Sequence, residues 1–126
     1  MVVAIIGAST NLCKFGNIAV RSFLNKGHTV FPVNPECAEM AVAIEGLKAY
    51  RTVLEIPGRV DLATLYVPPN IGMRILDDLR QKQVPEIWVN PGAESDQLKD
   101  RAKNLGLRLV FQCSIVAIGD SPANYE

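Results

Sequence analysis

The sequence predicts an α/β fold, a Rossmann-like three-layer sandwich with an open, mostly parallel five-stranded sheet. Short apolar runs typical of buried strands alternate with longer helical patterns along the whole chain. Gly, Pro or Asn follows four of these runs, at the positions where the chain must turn. With 126 residues, 48% of them hydrophobic, the chain is long enough for one buried core and too short for two. We therefore expect a single domain over residues 1–126.

The first β-α-β unit occupies the amino-terminal quarter of the chain. Residues 2–6 form an apolar run that predicts a buried strand, and Gly7 opens the turn after it. Apolar positions in residues 17–26 predict a helix that ends at the following glycine. Residues 29–33 predict a second strand, in which Pro32 favours an edge or a strand-end position.

The later elements continue this alternation after a stretch with a weak pattern. That stretch covers residues 36–57, where an apolar run at 41–44 and one or two helical turns at 52–56 are expected. Residues 61–67 predict a third strand, and Pro69 suits the first turn of a helix that extends to about residue 83. The remaining predicted elements are a fourth strand at residues 86–89, a helix between Ser95 and Gly106, and a fifth strand at residues 107–111.

Composition and charge argue against several functional classes. The 13 basic and 13 acidic residues cancel, so no overall field attracts nucleic acid or an anionic membrane. The first apolar run is too short for a signal peptide or a membrane span, and we expect a cytoplasmic protein. Three cysteines without CxxC spacing and one histidine give little support to a disulfide framework or a metal site.

Candidate ligand-binding residues lie in the segments that follow the strands. Ligands of open parallel sheets bind outside the carboxyl ends of the strands, near the point where the strand order reverses. The first turn also offers free backbone N–H groups and a helix N-terminus, which together favour a phosphate. The candidate residues are Gly7, Ala8, Ser9, Thr10, Asn11, Lys14, Asn34, Pro35, Val67, Pro68, Pro69, Asn90, Pro91 and Gly92.

The first turn departs from the dinucleotide-binding fingerprint. That fingerprint has G-x-G-x-x-G after the first strand and an acidic residue at the end of the second. Here the next glycine after Gly7 is Gly16, and the second strand ends at Asn34 and Pro35. Hydroxyl groups in the turn and the charge of Lys14 instead suit a phosphate-rich anion. An NAD(P)-binding protein or small oxidoreductase remains the alternative.

Four features together resemble a known family, the small stand-alone CoA-binding domain proteins. They are the run V-A-I-I-G-A-S at residues 3–9, the exit V-N-P at 33–35, the segment 56–61 and Trp88 in the fourth strand. These proteins are similar to the amino-terminal CoA-binding domain of the succinyl-CoA synthetase alpha subunit. The resemblance covers the chain from residue 2 to about residue 113 and implies a domain that binds the nucleotide half of CoA or an acyl-CoA.

The resemblance also implies roles for individual segments. It makes residues 7–10 the phosphate-binding turn with Lys14 in support, 34–35 the adenosine side and 67–69 a loop over the ligand. Many relatives read Trp-x-Gln-x-Gly after the fourth strand, whereas this chain has W-V-N-P-G at residues 88–92. Cys113 matches a cysteine common in the family, although a buried inert thiol is the commoner state of such a residue.

The sequence favours a binding module without catalytic activity of its own. No Ser/His/Asp set, metal cluster or spaced pair of carboxylates is evident. A detached subunit that becomes part of a CoA ligase with a partner chain stays open. The apolar run at residues 115–118 is expected as a tail whose exposed portion offers a contact for a homodimer.

Overall fold

A computed structural model describes residues 1–126 and contains five strands and five α-helices. The strands are β1 (Val2–Ile6), β2 (Thr29–Val33), β3 (Leu62–Leu65), β4 (Glu86–Val89) and β5 (Leu109–Phe111). The helices are α1 (Phe15–Asn25), α2 (Pro35–Glu39), α3 (Pro69–Lys82), α4 (Asp96–Asn104) and α5 (Ser114–Ala117). Two 3-10 turns lie at Val53–Glu55 and Pro122–Tyr125. No helix has both the length and the apolar character needed to cross a bilayer.

All five strands pair in parallel in the order β2-β1-β3-β4-β5. Ala4 in β1 pairs with Phe31 of β2 on one side and with Ala63 of β3 on the other. The predicted open, parallel five-stranded sheet is therefore confirmed, and Pro32 lies in an edge strand as expected. The strand order reverses at β1, because β2 lies on one side of it and the later strands lie on the other.

Helices cover both faces of the sheet because β1 alternates its side chains between two cores. Ala4 and Ile6 belong to a core that contains buried residues of α3 and α4. Val3 and Ile5 belong to a second core, with Phe23 of α1 and Ile115 of α5. Burial of one large apolar side chain contributes about 1.5–3 kcal/mol, so the alternation fixes which face each helix covers.

Several predicted boundaries differ from the observed elements. The first helix begins at Phe15 instead of residue 17, β3 ends at Leu65 instead of residue 67, and β5 begins at Leu109 instead of residue 107. The apolar run at residues 41–44, for which the sequence predicts no particular element, has one buried member, Ile44. The expected helical turn at residues 52–56 corresponds to the 3-10 turn at Val53–Glu55.

The short helix α2 has no counterpart among the predicted elements. Pro35 occupies its first turn, and the Asn34 side chain caps it by accepting the N–H of Cys37 at 3.0 Å. None of its residues is buried, so it lacks the apolar periodicity by which a helix is recognised in a sequence.

The apolar run at residues 115–118 is partly buried and partly exposed. Residues Ser114–Ala117 form α5, and Ile115 is completely buried in the core beside α1. Val116 keeps 60% of its surface exposed. The exposed portion, Val116 and Ala117, keeps the expectation of a homodimer contact a prediction, while Ile115 packs in the core with α1, which is far away in the sequence.

The carboxyl-terminal segment is anchored to the outer side of α1 through Asp120. Its carboxylate accepts hydrogen bonds from the hydroxyls of Ser22 (2.7 Å) and Tyr125, from the Asn124 amide (2.9 Å) and from the Ser121 N–H (2.8 Å). These bonds, with the Tyr125 bond foremost, hold the pKa of the Asp120 carboxyl well below its usual range.

Two glycines allow close backbone approaches at the end of β1 and at the start of α1. Gly7 has a φ of +90°, and a Cβ there would lie 2.5 Å from the carbonyl oxygen of Tyr66. A Cβ at Gly16 would lie 2.1 Å from the carbonyl oxygen of Gly7. Since both obstructing atoms are backbone, only glycine fits at either position: Gly7 lets the end of β1 approach the segment after β3, and Gly16 lets the first turn of α1 approach the end of β1.

We predict that Asp120→Asn lowers the melting temperature at pH 7. Because folding lowers the pKa of Asp120, the ionised carboxylate stabilises the fold fully above the unfolded value of about 3.9, and progressively less below it. The difference between wild type and variant should therefore shrink as the pH falls from 5 to 2. Calorimetric melting curves test this, with Asp100→Asn, an exposed position in α4, as the control. Equal melting curves for both variants at pH 7 would contradict the anchoring role.

We also predict that Gly16→Ala lowers the free energy of unfolding by about 2 kcal/mol, since the new methyl group forces two backbone segments apart. Gly72→Ala in α3 is the matched control, because its Cβ would meet only side-chain atoms, at 3.3 Å or more. Alanine has a higher helix propensity than glycine, which offsets that contact. The free energy of unfolding of the Gly72→Ala variant should therefore stay within about 1 kcal/mol of the wild-type value. Urea denaturation measures the free energy of unfolding of both variants. A Gly16→Ala variant as stable as the control would refute the close contact between Gly16 and the Gly7 carbonyl.

Candidate functional site

An open cleft of ≈ 1040 Å³ lies at the carboxyl end of the sheet. It is bordered by the segments that follow β1, β2, β3 and β4, at the reversal of strand order beside β1. Most of the candidate residues come together there. Those that line the cleft are Gly7, Ala8, Ser9, Lys14, Asn34, Pro35, Val67, Pro68, Asn90, Pro91 and Gly92.

Three candidate residues, Thr10, Asn11 and Pro69, do not line the cleft. Thr10 is exposed at the tip of the β1–α1 loop, which comprises residues 7–14. The Asn11 side chain bonds within this loop and accepts the N–H of Cys13 at 3.0 Å. Pro69 starts α3, and the cleft wall is formed instead by later residues of that helix.

Two asparagines fix the carbonyl groups of the β1–α1 loop. The amide of Asn17, a completely buried residue of α1, donates to the carbonyl of Ser9 at 2.9 Å. The amide of Asn34 donates to the carbonyl of Ala8 at 2.8 Å. With both carbonyls bonded to protein donors, the loop is left with unpaired N–H groups.

Four of these free N–H groups belong to residues that line the cleft. The backbone amides of Ala8, Ser9, Phe15 and Gly16 donate to no acceptor in the protein. The last two are in the first turn of α1, where Lys14 provides no side-chain cap. Unpaired amides and the positive end of the helix dipole attract the same ligand, an anion such as phosphate.

Three cationic side chains line the cleft, and none has a partner. Lys14, Arg51 and Arg74 make no ion pair and no side-chain hydrogen bond, because the two ion pairs of the structure lie elsewhere. Asp78 is the one carboxylate in the lining. Burial, and secondarily the charge of Asp77, raises the pKa of the Asp78 carboxyl. The cleft is therefore electropositive although the whole chain has a net charge of zero.

The sequence prediction missed the wall that α3 and the neighbouring 3-10 turn contribute. Ile71, Arg74, Ile75 and Asp78 recur at the spacing of one helical face, a pattern that was available in the sequence. Arg51 lies within the weakly patterned stretch at residues 36–57 and enters the lining through tertiary packing, which no local pattern signals. The remaining lining residues that were not predicted are Ile6, Cys13, Phe15, Gly16, Val33, Thr52, Val53, Tyr66, Ala93 and Cys113.

Asn90 lines the cleft but its side chain is already bonded to the protein. Its amide donates to the Thr64 hydroxyl at 2.7 Å and to the Leu65 carbonyl at 2.9 Å. Its carboxamide oxygen accepts the Ser114 N–H at 2.8 Å. The side chain therefore joins β3, β4 and α5, and the sequence interpretation of Asn90 as a ligand contact missed this structural use.

Tyr66 and Cys113 lie beside this buried network. The hydroxyls of Thr64 and Ser114 are hydrogen bonded to each other at 2.6 Å, and the buried Tyr66 hydroxyl has no partner. Burial is the main cause that raises the pKa of Tyr66, so the phenol stays neutral at physiological pH. Cys113 is a half-buried free thiol in the cleft lining.

Curated proteins that resemble this chain are much longer than it is. The chain is 30% identical over 120 residues to the acetate–CoA ligase [ADP-forming] I subunit alpha of Pyrococcus furiosus, a match that covers 86% of this chain and 26% of that subunit. It is 39% identical over 83 residues to acetate–CoA ligase [ADP-forming] I of Archaeoglobus fulgidus, covering 66% and 12% of the two chains. The chain thus spans about a quarter or less of these relatives.

Solved structures include one of similar size and one much larger. A conserved hypothetical protein from Pyrococcus furiosus superposes with a TM-score of 0.84 at 37% identity, covering 92% of this chain and 97% of that one. The dinucleotide-forming acetyl-coenzyme A synthetase 1 of Ca. Korarchaeum cryptofilum, in complex with phosphate and ADP, gives a TM-score of 0.69 at 28% identity. That match covers 86% of this chain and 25% of the synthetase.

The family model described as CoA binding domain matches residues 1–119, which is nearly the whole chain. The resemblance seen in the sequence is thereby confirmed, and the parallel sheet with a cleft at its switch point agrees with it. This chain belongs to the CoA binding domain family.

Proposed function

We propose that the cleft binds CoA or an acyl-CoA and that the chain is a binding module without catalytic activity of its own. In this proposal the diphosphate of the ligand lies on the β1–α1 loop and the first turn of α1. The observation that carries this proposal is the set of four unpaired N–H groups in the cleft lining. Lys14, also unpaired, adds a positive charge at the same place. Charge-assisted hydrogen bonds to phosphate oxygens satisfy these donors.

The shape and lining of the cleft also suit a CoA molecule. Its volume reaches the upper end of the range of about 300–1,000 Å³ that is usual for small-molecule sites. Apolar side chains of Val67, Ile71 and Ile75 line it beside the cations. This mixture matches a ligand with a charged nucleotide half and a long, mostly uncharged pantetheine arm.

The groups in the lining support a binding role over a catalytic one. The chain's one histidine, His28, immediately precedes β2 and lies at the opposite end of the sheet. The Ser114 hydroxyl is buried and bonded to that of Thr64, and the Tyr66 phenol is neutral. A nucleophile paired with a base in hydrogen-bond reach, the usual mark of covalent catalysis, is not among these contacts.

A second candidate function is that of a CoA-binding subunit completed by a partner chain. The observation in its favour is that the curated relatives are acetate–CoA ligases of which this chain spans a quarter or less. On this hypothesis, ligase activity appears only when a partner that supplies the remaining domains is added.

The NAD(P) alternative has less support. The position after β2 that holds an acidic residue in dinucleotide-binding proteins is Asn34 here. Its side chain is bonded to Ala8 on one side and to Cys37 on the other, so it is not free to bind ribose hydroxyls.

Calorimetric titration of the purified protein with CoA, and with NAD as the comparison, tests the proposed function. We expect CoA to bind at micromolar concentrations. NAD should bind at least tenfold more weakly, because it has a diphosphate but lacks the 3′-phosphate of CoA. Binding of NAD alone would favour the redox alternative. Binding of neither ligand would overturn the module proposal and favour the partner-dependent subunit.

We predict that Lys14→Met weakens CoA binding about tenfold, the loss of one charge-assisted contact worth about 1.4 kcal/mol. The melting temperature should not change, since the Lys14 side chain makes no bond in the protein. Lys26→Met, at the other end of α1, is the control and should bind as wild type does. Unchanged affinity in the Lys14 variant would remove this residue from the site.

A further inference from the structure

Arg51 and Arg74 line the cleft away from the β1–α1 loop. Arg51 precedes the 3-10 turn at Val53–Glu55, and α3, which carries Arg74, packs against that turn. Both elements contribute to the core that contains Val53 and Leu76. Helix α1 with the loop before it covers the opposite face of the sheet. The cleft therefore has two walls of different origin, each with its own cations.

The side chains of the two arginines on the α3 wall are exposed and make no bond within the folded protein. Neither guanidinium forms an ion pair or a hydrogen bond. Arg74 and Asp78 are four residues apart on the same face of α3 and still form no ion pair, so the guanidinium of Arg74 is free. Thr52, next to Arg51, adds a hydroxyl without a hydrogen-bond partner to the same lining.

We infer that Arg51 and Arg74 form a second anion subsite, which binds the 3′-phosphate of the CoA ribose. This inference rests on the proposed binding of CoA. The unpaired amides of the β1–α1 wall hold the diphosphate, so the cations of the other wall are left for a second phosphate group. The subsite makes the cleft selective for nucleotides that carry a terminal phosphomonoester.

The chemistry of the two groups fits this assignment. A phosphomonoester carries a charge of about −1.5 to −2 at pH 7, more than either phosphate of a diphosphate bridge. Guanidinium groups bind such an anion through two parallel N–H bonds, which makes arginine the preferred residue for phosphate recognition. Asp78, the one carboxylate in the lining, lies one helical turn from Arg74, and the two guanidinium groups outnumber it on this wall.

Calorimetry with CoA and 3′-dephospho-CoA tests the inference on wild type and on Arg51→Gln and Arg74→Gln. The control is Arg80→Gln, an exposed arginine of α3 outside the cleft lining. Wild type should bind CoA at least tenfold more tightly than dephospho-CoA. Each cleft variant should lose about tenfold in CoA affinity and keep its dephospho-CoA affinity within about twofold. The control should match wild type with both ligands.

Three outcomes would overturn the inference. Equal affinity of wild type for both ligands would show that no subsite reads the 3′-phosphate. An equal loss of affinity for both ligands in the two cleft variants would place the arginines at another part of CoA. Both results leave CoA binding itself intact. If wild type binds neither ligand, the proposed function fails and this inference fails with it.

Discussion

The backbone contact between Gly7 and Gly16 determines where the cleft presents its hydrogen-bond donors. A Cβ at Gly16 would lie 2.1 Å from the carbonyl oxygen of Gly7, so the first turn of α1 reaches the end of β1 only because Gly16 lacks a side chain. This approach places the free N–H groups of α1 beside those of the β1–α1 loop.

Polar side chains around this contact bond two carbonyl oxygens of the β1–α1 loop. The cleft lining therefore keeps free backbone N–H donors and has fewer free carbonyl acceptors. Asn17 and Asn34 bond the carbonyl oxygens of the loop, and Asn34 also caps α2. Unpaired cations come from three separate elements, with Asp78 as the single carboxylate. The arrangement attracts anions in a protein with zero net charge, because local geometry replaces an overall field.

The parts of the structure that could be predicted are those with a local signal. The apolar runs of the sequence predict the parallel sheet, and the glycine directly after the first run, Gly7, predicts the turn that follows β1. The structural hydrogen bonds of Asn90 and the burial of Ile115 depend on partners that are distant in the sequence. Neither could therefore be predicted from the sequence alone. Arg51 lacked a local signal for the same reason, since the packing of α3 on a 3-10 turn brings it to the cleft.

The central claim is that an anionic nucleotide binds on the β1–α1 side of the cleft, and an NMR titration with CoA tests it residue by residue. The account predicts that the largest shifts occur at the amides of Ala8, Ser9, Phe15 and Gly16, which have no acceptor in the free protein. Amides at the opposite end of the sheet, such as that of Gly27, should not move. Shifts confined to that opposite end, or no shifts at all, would contradict the account.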